Sequence, residues 1–396
     1  MTAALDTPSQ KTGGALLALF LVVFVSMTGF GVLVPITPFF GLYMGADAGQ
    51  ITIAMGAYSL GQLVAAPLWG RLSDRYGRRP VLIITLALTA VSYLVLARVE
   101  TIFAFGFVRF AAGLAAGNIG AAFASATDIS TPATRARAMG VVGAGFGLGF
   151  IVGPAIGGLI AGQSPDAADF ARVCYVACAL AGVSAAVAFF LLKETRPHDL
   201  PSRKPGQFRA LFSRSVLVQL VGATLLGVTA QAMLETSFGL WADEKLGWGP
   251  PEIGVNLGAL GLVAALLQGM GAGPLAKRFG EARLLVVGYA LYASGFLLIA
   301  VADAPVLAIL AVTMLGIGAG LIGPSAQSLI SQQAADDERG AVLGFQQSAS
   351  SLGRVIGPLL AGPLLHHYGL ATPYVVASVM CAGALALAWS STRKRA

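Results

Sequence analysis

A few charged side chains lie inside long apolar stretches of this sequence, and they are the residues best placed to do chemistry. Glu235 is the only carboxylate well inside such a stretch, and Asp128 lies near the end of another. Low dielectric disfavours an ionised carboxylate, so a buried carboxyl group can bind a proton near neutral pH. We predict Glu235 as the main proton-binding residue and Asp128 as the second candidate. Arg354 is the expected counter-charge in the same half of the chain, unless it bonds neighbouring carbonyl groups instead.

The apolar stretches have the length of membrane-spanning helices. Of the 396 residues, 56% are apolar and 11% are charged, against about 25% charged in soluble domains. Runs of about 20 apolar residues recur along the chain, and such a run crosses the hydrocarbon core as a helix. An all-α membrane protein is expected, and a soluble protein is excluded because it could not bury this surface. If the seventh stretch ends early, Glu235 would instead face the membrane interface. Twelve spans, numbered 1 to 12, are predicted at 14–40, 50–70, 80–98, 102–127, 138–162, 171–192, 215–240, 252–272, 283–302, 304–331, 341–365 and 371–391.

The basic residues are divided unevenly between the two sides of the predicted membrane. With the N-terminus inside, twenty of the 25 Lys and Arg residues lie inside, whereas the acidic residues divide almost evenly. Cytoplasmic loops accumulate Lys and Arg, so both termini are predicted to be cytoplasmic in a multi-pass inner-membrane protein. The net charge of +7 reflects this topology and not a nucleic-acid partner. The five exceptions are Arg98, Arg172 and Lys245 outside, and Arg109 and Arg354 within spans.

The chain divides near its middle into two halves. A hydrophilic stretch at 193–214 carries three prolines and is predicted as a cytoplasmic linker, with a short amphipathic helix around 208–212. On either side lie six-span bundles at 1–192 and 215–396.

The two halves are related by an internal repeat. The segment 70–77 matches 273–280 at an offset of 203 residues, and Gly149, Gly153-Pro154 and Gly158 match residues 204 positions later. Duplication of this kind points to two bundles with a binding site between them near the middle of the membrane.

The loop after span 2 carries a dense motif. Two glycines bracket a tight turn that a side chain at those positions would hinder. Between and beside them lie a carboxylate and several arginines. The motif residues are Gly70, Arg71, Asp74, Arg75, Gly77 and Arg78, followed by Arg79.

This loop resembles the signature loop of the major facilitator superfamily, and the duplicated twelve-span layout extends the resemblance over the whole chain. The resemblance implies the major facilitator fold, with two pseudo-symmetric six-helix bundles. It also implies that the loop is a conformational latch: Asp74 would face the N-terminal end of span 11 in the outward-open state, and Arg75 or Arg78 would join a charge relay with Asp128. Lys277 stands at the position of Asp74 in the second copy, so an asymmetric latch is expected.

Spans 4 and 5 carry two further motifs of this family. Arg109, followed by Gly113, Gly117 and Gly120, resembles the motif whose arginine is linked to proton transfer; a structural bond to carbonyl groups of span 1 is the alternative. Span 5 matches the antiporter motif, which in this family distinguishes drug:proton antiporters from symporters and sugar uniporters. Its glycines form a flat stripe for close helix contact, and its proline bends the helix. The matching residues are Gly140, Gly149, Gly153, Pro154, Gly157 and Gly158.

Family analogy also suggests which residues line a central cavity. Aromatic side chains with scattered amides suit lipophilic, drug-sized ligands. For each of them, helix packing or an interhelical hydrogen bond is the alternative role. The candidates are Phe30, Tyr58, Gln62, Asn118, Phe146, Gln231, Phe238, Asn256, Gln268, Gln327 and Gln346.

The resemblance implies a proton-coupled secondary exporter of drug-like lipophilic small molecules that works by alternating access. Spans 1, 3 and 9 lack the acidic residues of the known tetracycline exporters, so the residues do not specify tetracycline. A proton-coupled exporter or flippase of lipids or metabolites, and an uncoupled facilitator, remain open.

The expected partners are a small-molecule substrate, protons and the lipid bilayer, and a monomer is the family expectation. No enzymatic activity and no cofactor are expected, because no nucleotide-binding loop or nucleophile–base set occurs in the sequence. The adjacent His366 and His367 lack a third ligand and are predicted at the interface rather than in a metal site.

Overall fold

The structure is a computed structural model, and it describes residues 8–131, 134–195, 211–334 and 338–393. All regular secondary structure in these residues is helical. A π-helical turn, Leu267–Gly271, joins α10 to α11 without interruption. The α-helices are α1 Pro8–Val32, α2 Thr37–Tyr43, α3 Ala48–Tyr76, α4 Arg78–Leu96, α5 Ile102–Ala115, α6 Asn118–Asp128, α7 Arg135–Ala161, α8 Ala167–Leu191, α9 Ser215–Leu246, α10 Pro250–Leu266, α11 Ala272–Phe279, α12 Glu281–Val301, α13 Pro305–Ser331, α14 Arg339–Tyr368 and α15 Thr372–Arg393.

These helices account for all twelve predicted spans. Span 1 consists of α1 and α2, span 4 of α5 and α6, and span 8 of α10, the π-helical turn and α11. Within the described residues, eleven segments are long and apolar enough to cross a membrane. The remaining span is α14, which has 30 residues but a more polar sequence. Its polarity has a structural reason, because Gln346, Ser350 and Arg354 face the central cavity described below instead of lipid.

Two spans are broken where the sequence predicted continuous helices. Span 1 turns after Val32, and α2 then begins with a proline in its first turn, where a missing backbone donor costs nothing. Span 4 is interrupted after Ala115, and there the indole N–H of Trp69 donates to the carbonyl oxygen of Leu114 at 2.6 Å. Such side-chain bonds replace the backbone partners that a break removes inside the membrane.

Close helix packing in each bundle depends on glycine. In α7, a Cβ atom at Gly153 would lie 2.7 Å from the carbonyl oxygen of Thr28 in α1. In α14, a Cβ atom at Gly357 would lie 2.7 Å from the carbonyl oxygen of Thr229 in α9. Spans 5 and 11 therefore rest on spans 1 and 7 in the same way, as the repeat predicts. The loop glycines also correspond, because Gly77 has φ of 108° and its repeat partner Gly280 has φ of 82°.

In the described residues, the close contacts between the two bundles lie toward one face of the membrane. We name the face where α1 begins and α15 ends the terminal face, and the other the closed face. At the closed face, the start of span 8 packs on the end of span 5, and the start of span 2 packs on the end of span 11. A Cβ atom at Gly56 would lie 2.6 Å from the ring of Pro358. Toward the terminal face, a Cβ atom at Gly70 or Gly140 would meet nothing within 4 Å.

Two polar contacts accompany this closure. The amide of Gln163 donates to Glu252 at 2.6 Å, and His366 Nδ1 lies 3.7 Å from a carboxylate oxygen of Asp47. Each contact joins one bundle to the other. The linker predicted at 193–214, with its amphipathic helix, lies mostly outside the described residues, which omit 196–210.

Candidate functional site

A central cavity of about 610 Å³ lies between the two bundles. On one side the cavity ends at the closed-face contacts. On its other side lies the open space around Gly70 and Gly140. Both bundles contribute to its wall, with aromatic and aliphatic side chains interspersed with a few amides. Three ionisable side chains that the sequence singled out, Arg109, Glu235 and Arg354, line it together.

Glu235 lies in the cavity wall, within α9. The helix continues to Leu246, so the alternative that span 7 ends early and leaves Glu235 at the interface is not what the structure shows. A carboxylate oxygen of Glu235 accepts from the amide of Gln231 at 3.2 Å. The side-chain oxygen of Gln231 accepts in turn from the hydroxyl of Tyr292 at 3.0 Å. Glu235 is thus held by a neutral chain of hydrogen bonds.

Arg354 enters the same cavity from α14. It lies close enough to Glu235 for an electrostatic interaction. Within the described residues, however, it forms neither an ion pair nor a hydrogen bond. The counter-charge expected from the sequence is therefore present at longer range and not as a direct contact.

Arg109 is buried in α5 with 9% of its surface exposed. Its guanidinium carbon lies 4.7 Å from the ring centroid of Tyr58 and 5.7 Å from that of Phe30. Its Nε atom is buried and has no hydrogen-bond partner. In the part of the chain that the structure describes, Arg109 forms none of the bonds to carbonyl groups of span 1 that the sequence left open as an alternative.

Asp128 lies outside the cavity, at the end of α6, where it contacts the loop motif. Arg78 donates to Asp128 at 2.9 Å and to Asp74 at 2.6 Å, and it also reaches Ser73 at 3.1 Å. The carboxylate of Glu194 accepts from the backbone N–H of Arg78 at 2.8 Å. Of the two arginines expected to join Asp128, Arg78 makes the contact.

The other motif residues take different positions. Arg71 and Arg75 are exposed beside Gly70, and the guanidinium of Arg75 lies 5.4 Å from the ring of Tyr76. In span 5, the stripe of Gly149, Gly153 and Gly157 packs on α1, Pro154 lies inside α7, and Gly158 meets the start of α10. Gly140 meets no neighbour.

The substrate-binding candidates divide into two groups. Eight of the eleven line the cavity: Phe30, Tyr58, Gln62, Phe146, Gln231, Gln268, Gln327 and Gln346. Three are engaged elsewhere. Asn118 donates to Ser26 at 2.7 Å, Asn256 donates to the carbonyl oxygen of Glu252, and Phe238 is fully buried against Trp241.

Sequence reasoning missed some of the cavity wall. Tyr289 and Tyr292 reach the cavity from span 9, which contributed none of the predicted lining residues. Phe150 also lines the cavity and lies one helical turn after Phe146, so helical spacing could have found it. His366 takes part in the closed-face contacts, and the described residues contain no group of three His, Cys, Asp or Glu side chains that could hold a metal.

Two six-helix bundles that share one cavity define a membrane transporter for small molecules. The chain belongs to the Major Facilitator Superfamily, whose sequence model matches residues 19–248 and 220–396. It is a multi-pass inner-membrane protein and resembles the drug:proton antiporters of that family.

Several named proteins are similar over nearly the whole chain. The class G tetracycline resistance protein of Vibrio anguillarum is 31% identical over 87% of this chain and 88% of its own. The class C protein of Escherichia coli is 31% identical over 89% of each. Multidrug resistance protein 2 of Bacillus subtilis is 29% identical over 94% of each.

Solved structures agree on the fold. The human organic anion transporter MFSD10 superposes with a TM-score of 0.73 at 22% identity, over 95% of this chain and 99% of its own. An inward-facing bacterial homologue of the lysosomal transporter Spinster gives 0.78 at 14% identity, over 96% of each.

Proposed function

We propose that this protein is a proton-coupled exporter of drug-like lipophilic small molecules that works by alternating access. The observation that carries the proposal is the carboxyl group of Glu235 in the wall of the cavity between the bundles. Among the described residues that line that cavity it is the only carboxylate, and its direct partner is a neutral amide. A group in this place can exchange a proton with the same space that a ligand occupies. The similar tetracycline and multidrug resistance proteins support export of drugs.

Coupling requires that substrate and proton bind the two states of the transporter unequally. With the termini in the cytoplasm, as the basic residues predict, the closed face is periplasmic and the described state is inward-facing. We propose that substrate enters from the cytoplasmic side, that the bundles rock about the cavity, and that a proton from the periplasm replaces the substrate at Glu235. Asp128 remains the second candidate for the proton site, although it lies at the end of α6 and is paired with Arg78 of the loop motif.

The loop motif is proposed as the latch of the opposite state. In the inward-facing state Asp74 pairs with Arg78 of its own loop and is 43% exposed. When the cytoplasmic ends of the bundles close, Asp74 would reach the N-terminal end of α14, where the helix dipole favours a negative charge.

Purified protein in liposomes with an imposed pH gradient tests the function. We expect ethidium or tetracycline to accumulate inside liposomes whose interior is acidic, and a protonophore to abolish this accumulation. Transport of these compounds that does not depend on the pH gradient would favour an uncoupled facilitator. No movement of either compound, with gradient-dependent movement of a fluorescent lipid, would favour the lipid exporter or flippase.

A further inference from the structure

His366 and Asp47 face each other across the closed face, one from each bundle. Nδ1 of His366 lies 3.7 Å from a carboxylate oxygen of Asp47, and the two side chains are 50% and 43% exposed. This separation is too long for a hydrogen bond, so the attraction between the two groups depends on the charge of the imidazole. Histidine is the side chain that ordinarily changes charge between about pH 5 and 8. This contact between the bundles therefore strengthens when His366 binds a proton.

The repeat places a related contact in the other half of the closed face. Gln163, just after α7, donates to Glu252 at 2.6 Å, and Glu252 completes the capping box at the start of α10. His366, near the end of α14, approaches Asp47, which belongs to the capping box at the start of α3. Spans 5 and 11 are repeat partners, as are spans 2 and 8, so equivalent helix ends meet in both halves. One contact uses an amide of fixed charge and the other an imidazole, and only the imidazole gains a proton near neutral pH.

In the described residues, Asp47 is the one ionic partner of His366. The neighbouring Leu365 packs in a small apolar cluster with Leu240 of α9 and Ile102 of α5. The ionisable side chains at the nearby ends of these elements form no ion pair with His366 within the described part of the chain: Arg98 and Glu100 before α5, Asp243, Glu244 and Lys245 in α9, and His367 and Tyr368 on its own helix. The ring of His367 lies 4.7 Å from that of His366, edge to face, and offers no negative charge.

The contact exists only while the bundles meet at the closed face. When the bundles rock and this face opens, His366 and Asp47 must separate, because one belongs to α14 and the other to α3. A ligand that binds one of two states more tightly shifts the equilibrium toward that state, and here the ligand is a proton. Protonation of His366 therefore favours the state in which the closed face is shut, and loss of the proton favours its opening.

We propose that His366 is a second proton-binding site, separate from the cavity, through which the pH of the solution at the closed face controls closure of the bundles there. The proposal rests on the alternating access of the proposed function. Because His366 is half exposed at this face, its proton exchanges with the adjoining solution and is not carried across the membrane. In an exporter driven by periplasmic protons, the acidity that protonates Glu235 would also favour closure behind it.

Spin labels on the two bundles measure this closure directly. Cysteines replace Ala168 and Asp303, which are exposed toward the closed face in the first and second bundle, in a background whose native cysteines are changed to alanine. Pulsed EPR distances for the full chain in liposomes, between about pH 5.5 and 8, give the ratio of closed to open molecules. Lowering the pH should raise this ratio about threefold more in the unaltered protein than in His366→Gln, since an exposed ion pair contributes little more than that.

Matched variants assign the effect to one pair of side chains. His366→Gln gives the contact the amide that Gln163 supplies in the other half. His367→Gln removes the adjacent imidazole, which has no carboxylate partner in the described residues, and should keep the full response. Asp47→Asn removes the anion, and because asparagine can still cap α3, it should lose the same part of the response as His366→Gln. The double variant should lose no more than either single one, since both changes remove one contact.

Identical pH profiles for the unaltered protein and His366→Gln would overturn the proposal. An equal loss in His367→Gln, or a full response in Asp47→Asn, would do the same. A single label distance at every pH would overturn both this proposal and alternating access. Gradient-driven transport of ethidium together with identical profiles would remove only the His366 site. A profile that depends on His366, without gradient-driven transport, would remove only the proton coupling of the proposed function.

Discussion

Glu235 is held in the cavity wall by neutral partners, the amide of Gln231 and, beyond it, the hydroxyl of Tyr292. Neither partner can take over a proton that the carboxyl group releases near neutral pH. The residue can therefore change charge without rearranging an ion pair, and only the longer-range interaction with Arg354 responds.

Replacement of Glu235 by Gln should abolish uphill transport and preserve the fold. Glutamine can still accept from Gln231 but cannot exchange a proton. With one proton per substrate, a gradient of one pH unit supports about tenfold accumulation, and this ratio should fall to about one in the variant. Downhill equilibration in liposomes should persist. Glu244→Gln, at the exposed end of the same helix, is the matched control. Continued uphill transport by Glu235→Gln would move the proton site to Asp128.

The sequence predicted Glu235 because a lone carboxylate in an apolar run is conspicuous. It could not predict that Asp128 bonds Arg78, or that Asn118 bonds Ser26, because these contacts depend on how neighbouring helices are rotated. Tyr292 was missed for a related reason: which side chains of span 9 reach the cavity depends on how that helix is rotated and packed.

At the scale of helices, the contact between spans 1 and 5 is set by glycines whose hydrogen atoms face backbone carbonyl groups. The spacing of Gly149, Gly153 and Gly157 predicted a close helix contact, since it places them on one side of the helix, but it did not identify span 1 as the partner. The breaks in spans 1 and 4 were not predicted. The apolar composition of a span indicates how long the segment is, but it does not indicate whether the helix within it is continuous.

Gly153→Val should separate α7 from α1. The added atoms would meet the carbonyl oxygen of Thr28, so the helices must move apart at a cost of about 1–3 kcal/mol or more. We expect a lower thermal unfolding temperature in detergent and loss of transport. Gly182→Val in α8 is the control, since a Cβ atom there meets nothing within 4 Å. Equal unfolding temperatures for the two variants would show that the stripe is not a close-packed contact.

Asp74→Asn tests the proposed latch. Asp74 is 43% exposed in this state, and Arg78 keeps its bond to Asp128 without it, so stability should change little. Transport should nevertheless fall severalfold, because the state in which Asp74 would reach α14 loses its charge contact. Asp303→Asn, in an exposed loop, should transport normally. Unchanged transport by Asp74→Asn would remove the latch from the mechanism.

At the scale of the whole molecule, the twelve-span fold and its division into two halves follow from composition and repeat. The conformational state does not, because one sequence must encode two states that differ by only a few kcal/mol. The contact expected between Asp74 and the N-terminal end of span 11 belongs to the state that the structure does not show.

Linking the two bundles at the closed face should stop transport. Cysteines that replace Asp47 and His366, in a background whose native cysteines are changed to alanine, would stand where the native side chains lie 3.7 Å apart. A short, cleavable bifunctional thiol reagent should reduce transport to background, and cleavage should restore it. Each single-cysteine variant, treated in the same way, should keep its activity. Full linkage with normal transport would mean that this face need not open.

The π-helical turn in span 8 accounts for a discrepancy between the two halves of the chain. The helix starts correspond at an offset of 202 residues, with Asp47 and Gly249 as the N-terminal caps of α3 and α10. The loop glycines Gly77 and Gly280 correspond at an offset of 203. One additional residue therefore separates the caps from the loop in the second half, and a π-helical turn is how an α-helix accommodates a single inserted residue. The turn at Leu267–Gly271 thus takes up the one residue by which span 8 exceeds span 2, and deletion of Gly269 should convert the segment into a continuous α-helix in the register of span 2.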